Sequence, residues 1–417
     1  MGKFKKSDIA IKSPGQQIRE KIIEKFGSIK NFADAVGMYD SSVEQYLTTR
    51  SLGSTTFKIR LTNEFQKSLS ELFLTDEAQI RAMTLSISEN ISSYNQHKDI
   101  EILEKLKDLC IKRELLEDYA IVCRSYAIFF YNQLKLDRAL AYMQLAVNYL
   151  RGKESVDRFV IYLSELIMIE AEISLRSRIN RLISECLMLI DQNDNSDIVC
   201  KVFTNIGLSL LKMGDYDEAE RYFLKVIETQ ESDQNVALVL QLIGDINIIR
   251  GNYGQAFINY SDAEKFVRQS DELMTPLNHR FAVYYNLIEE YQHAEKYIDL
   301  VFSKTRLKLS ATDNKYLVTM AEIKMHFRKD HEVLIEIKNL LEELKKNSIY
   351  AERHIRQLEK IVELYRTDLV FLNRIIDLLI GFYNESDLDQ EFVDAIKIVI
   401  GRTVLETYRV NSIKRTT

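Results

Sequence analysis

Apolar side chains return every three or four positions along most of this chain. Residues 16–26, QQIREKIIEKF, set Ile18, Ile22, Ile23 and Phe26 at helical spacing, and residues 55–73, TTFKIRLTNEFQKSLSELF, continue the period. Only Pro14, Pro276 and 13 glycines interrupt 417 residues. Long stretches therefore run without a helix breaker, and the pattern predicts an all-α fold.

Between those two stretches lies SIKNFADAVGMYDSSVEQYL, residues 28–47. Two short helices crossing at a turn need a small residue at the crossing, a residue tolerant of positive φ at the turn, and apolar residues toward the core. Ala33, Gly37 and the set Phe32, Val36, Met38, Val43 and Leu47 fill these slots, with Tyr46 alongside. The second helix is expected from about Asp40 to Thr48, capped by Asp40 or Ser41. Its outward residues are Tyr39, Ser41, Ser42, Glu44, Gln45 and Thr48. Gln suits a bidentate contact to adenine, Glu can accept from cytosine, and Ser and Thr can meet base edges or phosphates. Lys30 and Arg50, with Lys25, Lys58 and Arg60, flank the motif as candidate phosphate contacts. Residues 15–70 resemble the Xre/Cro-type helix-turn-helix. They depart from it at TTRSLGSTT, where that type carries a Glu-x-Gly-like turn and a Pro. The bland alternative is a helical hairpin that only caps the rest of the chain.

The longer C-terminal part carries a repeat. IGLSLLKMGDYDEAERYFLKV (206–226) aligns with IGDINIIRGNYGQAFINYSDA (243–263), pairing Gly207 with Gly244, Gly214 with Gly251, Tyr216 with Tyr253, Ala219 with Ala256 and Phe223 with Tyr260. YAIFFYNQLKLDRALAYMQLA (126–146) and FAVYYNLIEEYQHAEKYIDLV (281–301) fit the same template. Residues 76–115, 157–190 and 314–346 carry it in degenerate form, and residues 354–383 and 389–405 read as terminal helices. The pattern resembles the tetratricopeptide repeat, in which small residues let two antiparallel helices cross closely and aromatics fill the groove to the next unit. The expected fold is thus an N-terminal helix-turn-helix bundle, residues 1–72, followed by a right-handed tetratricopeptide-repeat superhelix, residues 73–417.

This architecture resembles the Rap–Rgg–NprR–PlcR–PrgX group of peptide-pheromone receptors, with the phage arbitrium receptors as relatives. The sharpest local match is TNIGLSLLKMGDYDEAERYF, residues 204–223. The resemblance implies a cytoplasmic quorum-sensing transcription regulator. It would bind a double-stranded DNA operator and a short linear signalling peptide, and act as a homodimer, with the C-terminal helices as a candidate dimer surface. The alternative is a repeat scaffold that binds and inhibits a protein partner such as a response regulator.

An extended peptide offers unpaired N–H and C=O groups, which side-chain amides can meet on both sides. Arg can hold a carboxylate bidentately. Candidate contacts lie on the first helix of each unit, near its small crossing residue. They are Arg124; Thr204, Asn205 and Leu208; Gln241 and Asp245, which share a face by i,i+4 spacing; Arg280; and Asn286. Asn205 is the strongest candidate, against the plainer role of capping a neighbouring backbone group. Arg124 and Arg280 are candidate carboxylate anchors, against inter-repeat ion pairs, and His279 reads as an ordinary surface histidine.

Charge sharpens this division. Residues 1–70 hold 12 Lys/Arg and 7 Asp/Glu, a net of +5 in a chain of −6, so the remainder carries −11. A basic head on an acidic body points the head at a polyanion. No apolar run approaches the roughly 20 residues that span a bilayer. Cys110, Cys123, Cys186 and Cys200 sit in apolar helical patterns and read as buried thiols in a reducing compartment. No phosphate loop, HExxH or GxSxG occurs, and His326 and His331 miss the i,i+4 spacing of a metal pair. Neither an enzyme, a cofactor nor a metal site is expected.

Overall fold

The computed structural model describes residues 11–48, 52, 54–89, 91, 97–153, 156–173, 176–191, 195–229, 232–267, 271–305, 314–346, 351–385, 397, 399–401 and 403–405. Every regular element among them is a helix: α1 (Pro14–Phe26), α2 (Ile29–Ala35), α3 (Asp40–Thr48), α4 (Thr55–Phe65), α5 (Leu69–Leu72), α6 (Asp76–Glu89), α7 (His97–Lys112), α8 (Leu116–Asn132), α9 (Leu136–Leu150), α10 (Val156–Glu170), α11 (Arg176–Ile190), α12 (Ser196–Lys212), α13 (Tyr216–Thr229), α14 (Asp233–Ile249), α15 (Tyr253–Val267), α16 (Asp271–Leu287), α17 (Tyr291–Thr305), α18 (Asn314–His326), α19 (Asp330–Lys346), α20 (Ala351–Leu364) and α21 (Leu369–Glu385). Two compact units result. One comprises Met1–Tyr94 and Lys98–Tyr126, the other Asn95–His97 and Ala127–Thr417.

In the first unit the local signals act as the sequence suggests. Ser13 and Gln16 form a capping box around Pro14, and Gly27 ends α1 in a left-handed conformation. Ser28 caps α2 by accepting from the Asn31 amide at 3.1 Å. The α2–α3 turn passes through Gly37 at φ 64, and Met38 N donates back to Ala33 O at 2.9 Å. Phe32, Ala33, Val43 and Leu47 are buried with Ile18, Ile22, Phe57 and Leu61 in one core. Phe26 meets Phe32 edge-on at 5.2 Å and Phe65 at 6.1 Å. Gly15 makes an approach that the sequence pattern did not reveal. A Cβ there would lie 1.7 Å from Leu47 O, so only glycine lets the start of α1 meet the end of α3. The helical stretch expected over 55–73 is interrupted, because Gln66 turns left-handed at φ 52 and separates α4 from α5.

The second unit stacks helix pairs: α10 with α11, α12 with α13, α14 with α15, α16 with α17 and α18 with α19. The degenerate candidates at 157–190 and 314–346 are therefore full pairs. Glycine sits where two helices nearly touch. A Cβ on Gly207 would lie 2.4 Å from Phe223, and one on Gly244 2.3 Å from Tyr260. The aromatics thus fill the crossing of their own pair, and not only the groove to the next one. Tyr260 does both, meeting Phe281 of the following pair at 5.9 Å.

Four of these pairs, α12–α13, α14–α15, α16–α17 and α18–α19, and likewise α8 with α9, turn through a left-handed residue. Gly214 and Gly251 adopt φ 78 and 75, and Leu134, Glu289 and Arg328 hold the same place at φ 60, 64 and 54. Successive first helices α10, α12, α14, α16, α18 and α20 pack on one another. This places them on the inside of the stack. Lys324 of α18, 1% exposed, is held by Glu295 and Asp299 of α17 and Glu332 of α19, each at 2.8 Å. The terminal stretch 354–383 forms α20 and α21, whereas most of 389–405 lies outside the described residues. No helix of the described residues is long and apolar enough to cross a membrane.

Candidate functional site

Counting each first helix from its buried small residue (Gly207, Gly244, Ala282 and Ala321) aligns three positions along the inside of the stack. They lie three and two residues before the small residue and one after it. The first two hold Thr204, Asn205, Gln241, His279, Arg280 and Thr319, a polar row broken by the apolar Leu242 and Val318, and Ser164 of α10 joins it through Asn205. Helical spacing keeps these on one face. Hydrogen bonds run along the row from helix to helix. Asn205 Nδ2 donates to Ser164 Oγ at 2.9 Å, Arg280 Nη1 donates to Gln241 Oε1 at 3.0 Å, and His279 Nε2 lies 2.9 Å from Thr319 Oγ1.

Asn205 is 9% exposed. Its Nδ2 is taken by Ser164, whose own hydroxyl donates to Ile161 O at 2.7 Å. Its Oδ1 accepts no hydrogen bond among the described residues, so one face of the amide is bonded and the other is spare. The expected alternative, a backbone cap, is not what the side chain does. Thr204 is buried beside it and Leu208 is partly exposed one turn on. Ser164 was hidden in the sequence because residues 157–190 carry the repeat only in degenerate form. Its placement 41 residues before Asn205 is the signal that remained.

Gln241 and Asp245 do share a face, and Arg280 uses both. Arg280 Nε donates to Asp245 Oδ1 and Oδ2 at 2.9 and 3.0 Å, and Nη2 donates to Oδ2 at 2.9 Å. Tyr260 OH donates to Asp245 Oδ1 at 2.8 Å, and Gln241 Nε2 donates to Ala237 O at 3.2 Å. Burial works against the Arg280 charge, and the Asp245 carboxylate outweighs it, holding the guanidinium above its ordinary range. Burial pushes the Tyr260 phenol up, and Asp245 adds to the effect. The Arg280 anchor expected for a ligand carboxylate is therefore engaged within the chain, as an ion pair between α14 and α16. His279 is no plain surface residue, since its ring also lies 4.6 Å from Tyr316. Asn286 Oδ1 is buried without a hydrogen-bond partner among the described residues. Arg124 belongs to the first unit, where its Nη1 donates to Ser88 Oγ at 3.2 Å.

The expected nucleic-acid residues of the first unit divide in two. Lys30, Tyr39, Ser41, Gln45 and Thr48 are exposed, Tyr39 at 82%. Asp40 sits in the first turn of α3, its Oδ1 accepting from Ser41 N at 2.7 Å. Thr48 Oγ1 donates to Gln45 O at 2.7 Å. Ser42 and Glu44 are half-buried, and Glu44 is gripped by Arg19 of α1, with Nη1 to Oε1 at 3.0 Å. Arg50 lies outside the described residues. Two flanking cations have other work. Arg60 Nη1 caps the end of α2 by donating to Val36 O and Gly37 O at 2.5 and 2.7 Å, and Lys25 Nζ donates to Glu64 O at 2.5 Å.

Among the described residues no group of three or more His, Cys, Asp or Glu side chains could hold a metal ion. A tetratricopeptide-repeat family model matches residues 201–233, the α12–α13 pair. No curated protein sequence matches the chain. Similar solved structures include yeast Tom70, with a TM-score of 0.51 and 16% identity over 96% of this chain and 84% of that one. They also include the apo quorum sensor NprR of Bacillus thuringiensis, at 0.49 and 15% over 92% and 99%. A third is a Rap protein complexed with competence and sporulation factor, at 0.48 and 14% over 94% and 99%. The repeat match and the likeness to Tom70 establish one thing about this chain: its second unit is a superhelical array of the tetratricopeptide type.

Proposed function

We propose that the chain is a peptide-responsive transcription regulator. The polar row inside the second unit holds a short linear peptide, and the first unit, through a helix-turn-helix made of α2 and α3, binds an operator in double-stranded DNA. The observation that carries the reading is Asn205. A buried amide whose donor is anchored and whose acceptor is spare is suited to receive a backbone N–H from an extended chain. Gly207 and Phe223 make the crossing within the pair, and the Asn205 donor ties it to Ser164 of the preceding pair, which leaves the acceptor for a ligand. On the first unit, exposed Ser41, Gln45 and Thr48 give α3 a readable face, and the net charge of +5 over residues 1–70 supplies attraction to phosphate. The resemblance of the sequence to peptide-pheromone receptors adds a cytoplasmic homodimer to the reading.

Two measurements test it. An electrophoretic shift of the full chain on DNA from upstream of its own gene should show sequence-specific binding that weakens with salt, and should change when peptide is added. Failure to bind in either state would sink the DNA arm and favour a scaffold for a protein partner. For the peptide arm, a synthetic hexapeptide pool passed over immobilised chain should leave a retained set, and Asn205→Ala should reduce the retention about tenfold, the loss of one buried hydrogen bond.

A further inference from the structure

The second helices of successive pairs lie on the outside of the stack, and α15 differs there from its neighbours. Its inward side buries Ala256, Asn259, Tyr260, Ala263 and Val267. Its outward side holds Gly254, Phe257 and Ile258, with Tyr253 one turn before Phe257. Tyr253, Phe257 and Ile258 are 38, 37 and 51% exposed. The Phe257 ring rests against Tyr284 of α16 at 5.4 Å and still meets solvent. A Cβ on Gly254 would meet nothing within 4 Å, so the helix is open to close approach there.

The repeat itself does not call for this face. The register that aligns Ala219, Ala256 and Ala294 sets Asp217, Glu220 and Arg221 of α13, and Gln292, Glu295 and Lys296 of α17, where α15 has Gly254, Phe257 and Ile258. GNYGQAFINYS, residues 251–261, holds no charged residue, while the matching stretches 214–224 and 289–299 hold five Asp, Glu, Lys or Arg each. Single exposed apolar side chains are ordinary on a protein surface, but a cluster that stands where neighbouring units place charge marks a contact. Charge also decides the partner. In a two-fold pair one patch meets itself, so every charge on it would face its like. The chain beyond residue 70 carries −11. A self-contact in that part needs a face that carries no charge, and α15 supplies it.

We propose that a second copy of this chain docks on the outward face of α15, helix against helix about a two-fold axis, with Gly254 admitting the close approach. The inference rests on the homodimer in the reading above and names its surface, in place of the C-terminal helices.

Sedimentation velocity of the full-length chain over a concentration series should show a monomer–dimer equilibrium. Phe257→Glu with Ile258→Lys installs the pair that α17 carries at the same two places, Glu295 and Lys296, so the fold should tolerate it. This double variant should weaken self-association at least about tenfold with an unchanged far-ultraviolet spectrum. Ile258→Cys should give a disulfide-linked dimer on mild oxidation, because the axis brings two copies of α15 together. Val370→Cys on α21, 65% exposed, should not. The native cysteines are buried and stay out of the reaction. The two cysteine variants decide the matter even where the double variant folds poorly. A dimer that survives Phe257→Glu with Ile258→Lys, or that links through Val370→Cys and not through Ile258→Cys, overturns the inference and leaves the homodimer standing. A monomer at every concentration overturns both the inference and the homodimer, and gives the patch to a different protein.

Discussion

The Asn205 amide donates to Ser164 Oγ across 2.9 Å, and the two residues stand 41 apart on first helices of consecutive pairs. Each therefore holds the other's helix in register. Asn205→Ala should cost about 1 kcal/mol of stability, as should Ser164→Ala, and the double variant should cost less than the sum by about 0.5–1.5 kcal/mol. Denaturant unfolding of the four chains in the cycle measures this. Additive effects would mean that the hydrogen bond contributes nothing to stability.

Gly207→Ala and Gly244→Ala place a methyl group into Phe223 and Tyr260. Each should destabilise by about 1–3 kcal/mol through overpacking. Phe223→Leu in the Gly207→Ala background should recover part of the loss, while Phe223→Leu alone should be destabilising. Thermal melts of the three chains separate overpacking from a simple loss of helix quality, since alanine is the better helix former.

Asp245→Asn removes the charge that holds Arg280 and accepts from Tyr260. A cost of about 1–3 kcal/mol is expected, because a partly buried guanidinium is left with amides alone. The double variant Asp245→Asn/Arg280→Gln should recover part of that cost, and a double variant worse than Asp245→Asn would show that the pair is not coupled.

Burial pushes the Cys110 and Cys186 thiols up to about 12 and Cys123 up to about 11, from an ordinary 9.0. The folded chain thus keeps protons that the unfolded chain releases. This stability is whole below about pH 9 and is lost as pH rises toward about 12, at up to about 1.4 kcal/mol per pH unit for each thiol. Guanidinium unfolding at mildly and strongly alkaline pH should show the decline, and Cys186→Ala should flatten it. The same thiols should resist alkylation in the native state.

Gly15→Ala should act on the first unit alone. The atom it would strike is the backbone oxygen of Leu47, which cannot rotate aside as a ring can. Hydrogen exchange should show α1 and α3 losing protection while α12 to α15 keep theirs.

The helices and the repeat were legible because they rest on local signals: apolar period, caps and small residues at crossings. The α3 boundaries Asp40–Thr48 coincide with those read from the sequence. What stayed hidden depends on pairs distant in the chain. Glu44 looked free to read a base, but only the fold brings Arg19 beside it. Arg280 looked like a ligand anchor, and its partner Asp245 lies 35 residues away.

The left-handed turns have a consequence for how the protein can change. Gly214 and Gly251 adopt the turn freely, but Leu134, Glu289 and Arg328 adopt it with a side chain, at roughly 1 kcal/mol each. Glycine at those three places would keep the turn and relieve the strain. The array therefore holds a reserve of stability it has not drawn on. Substitutions that retune the polar row toward a new ligand, and weaken the fold in doing so, could be offset at turns that take no part in recognition.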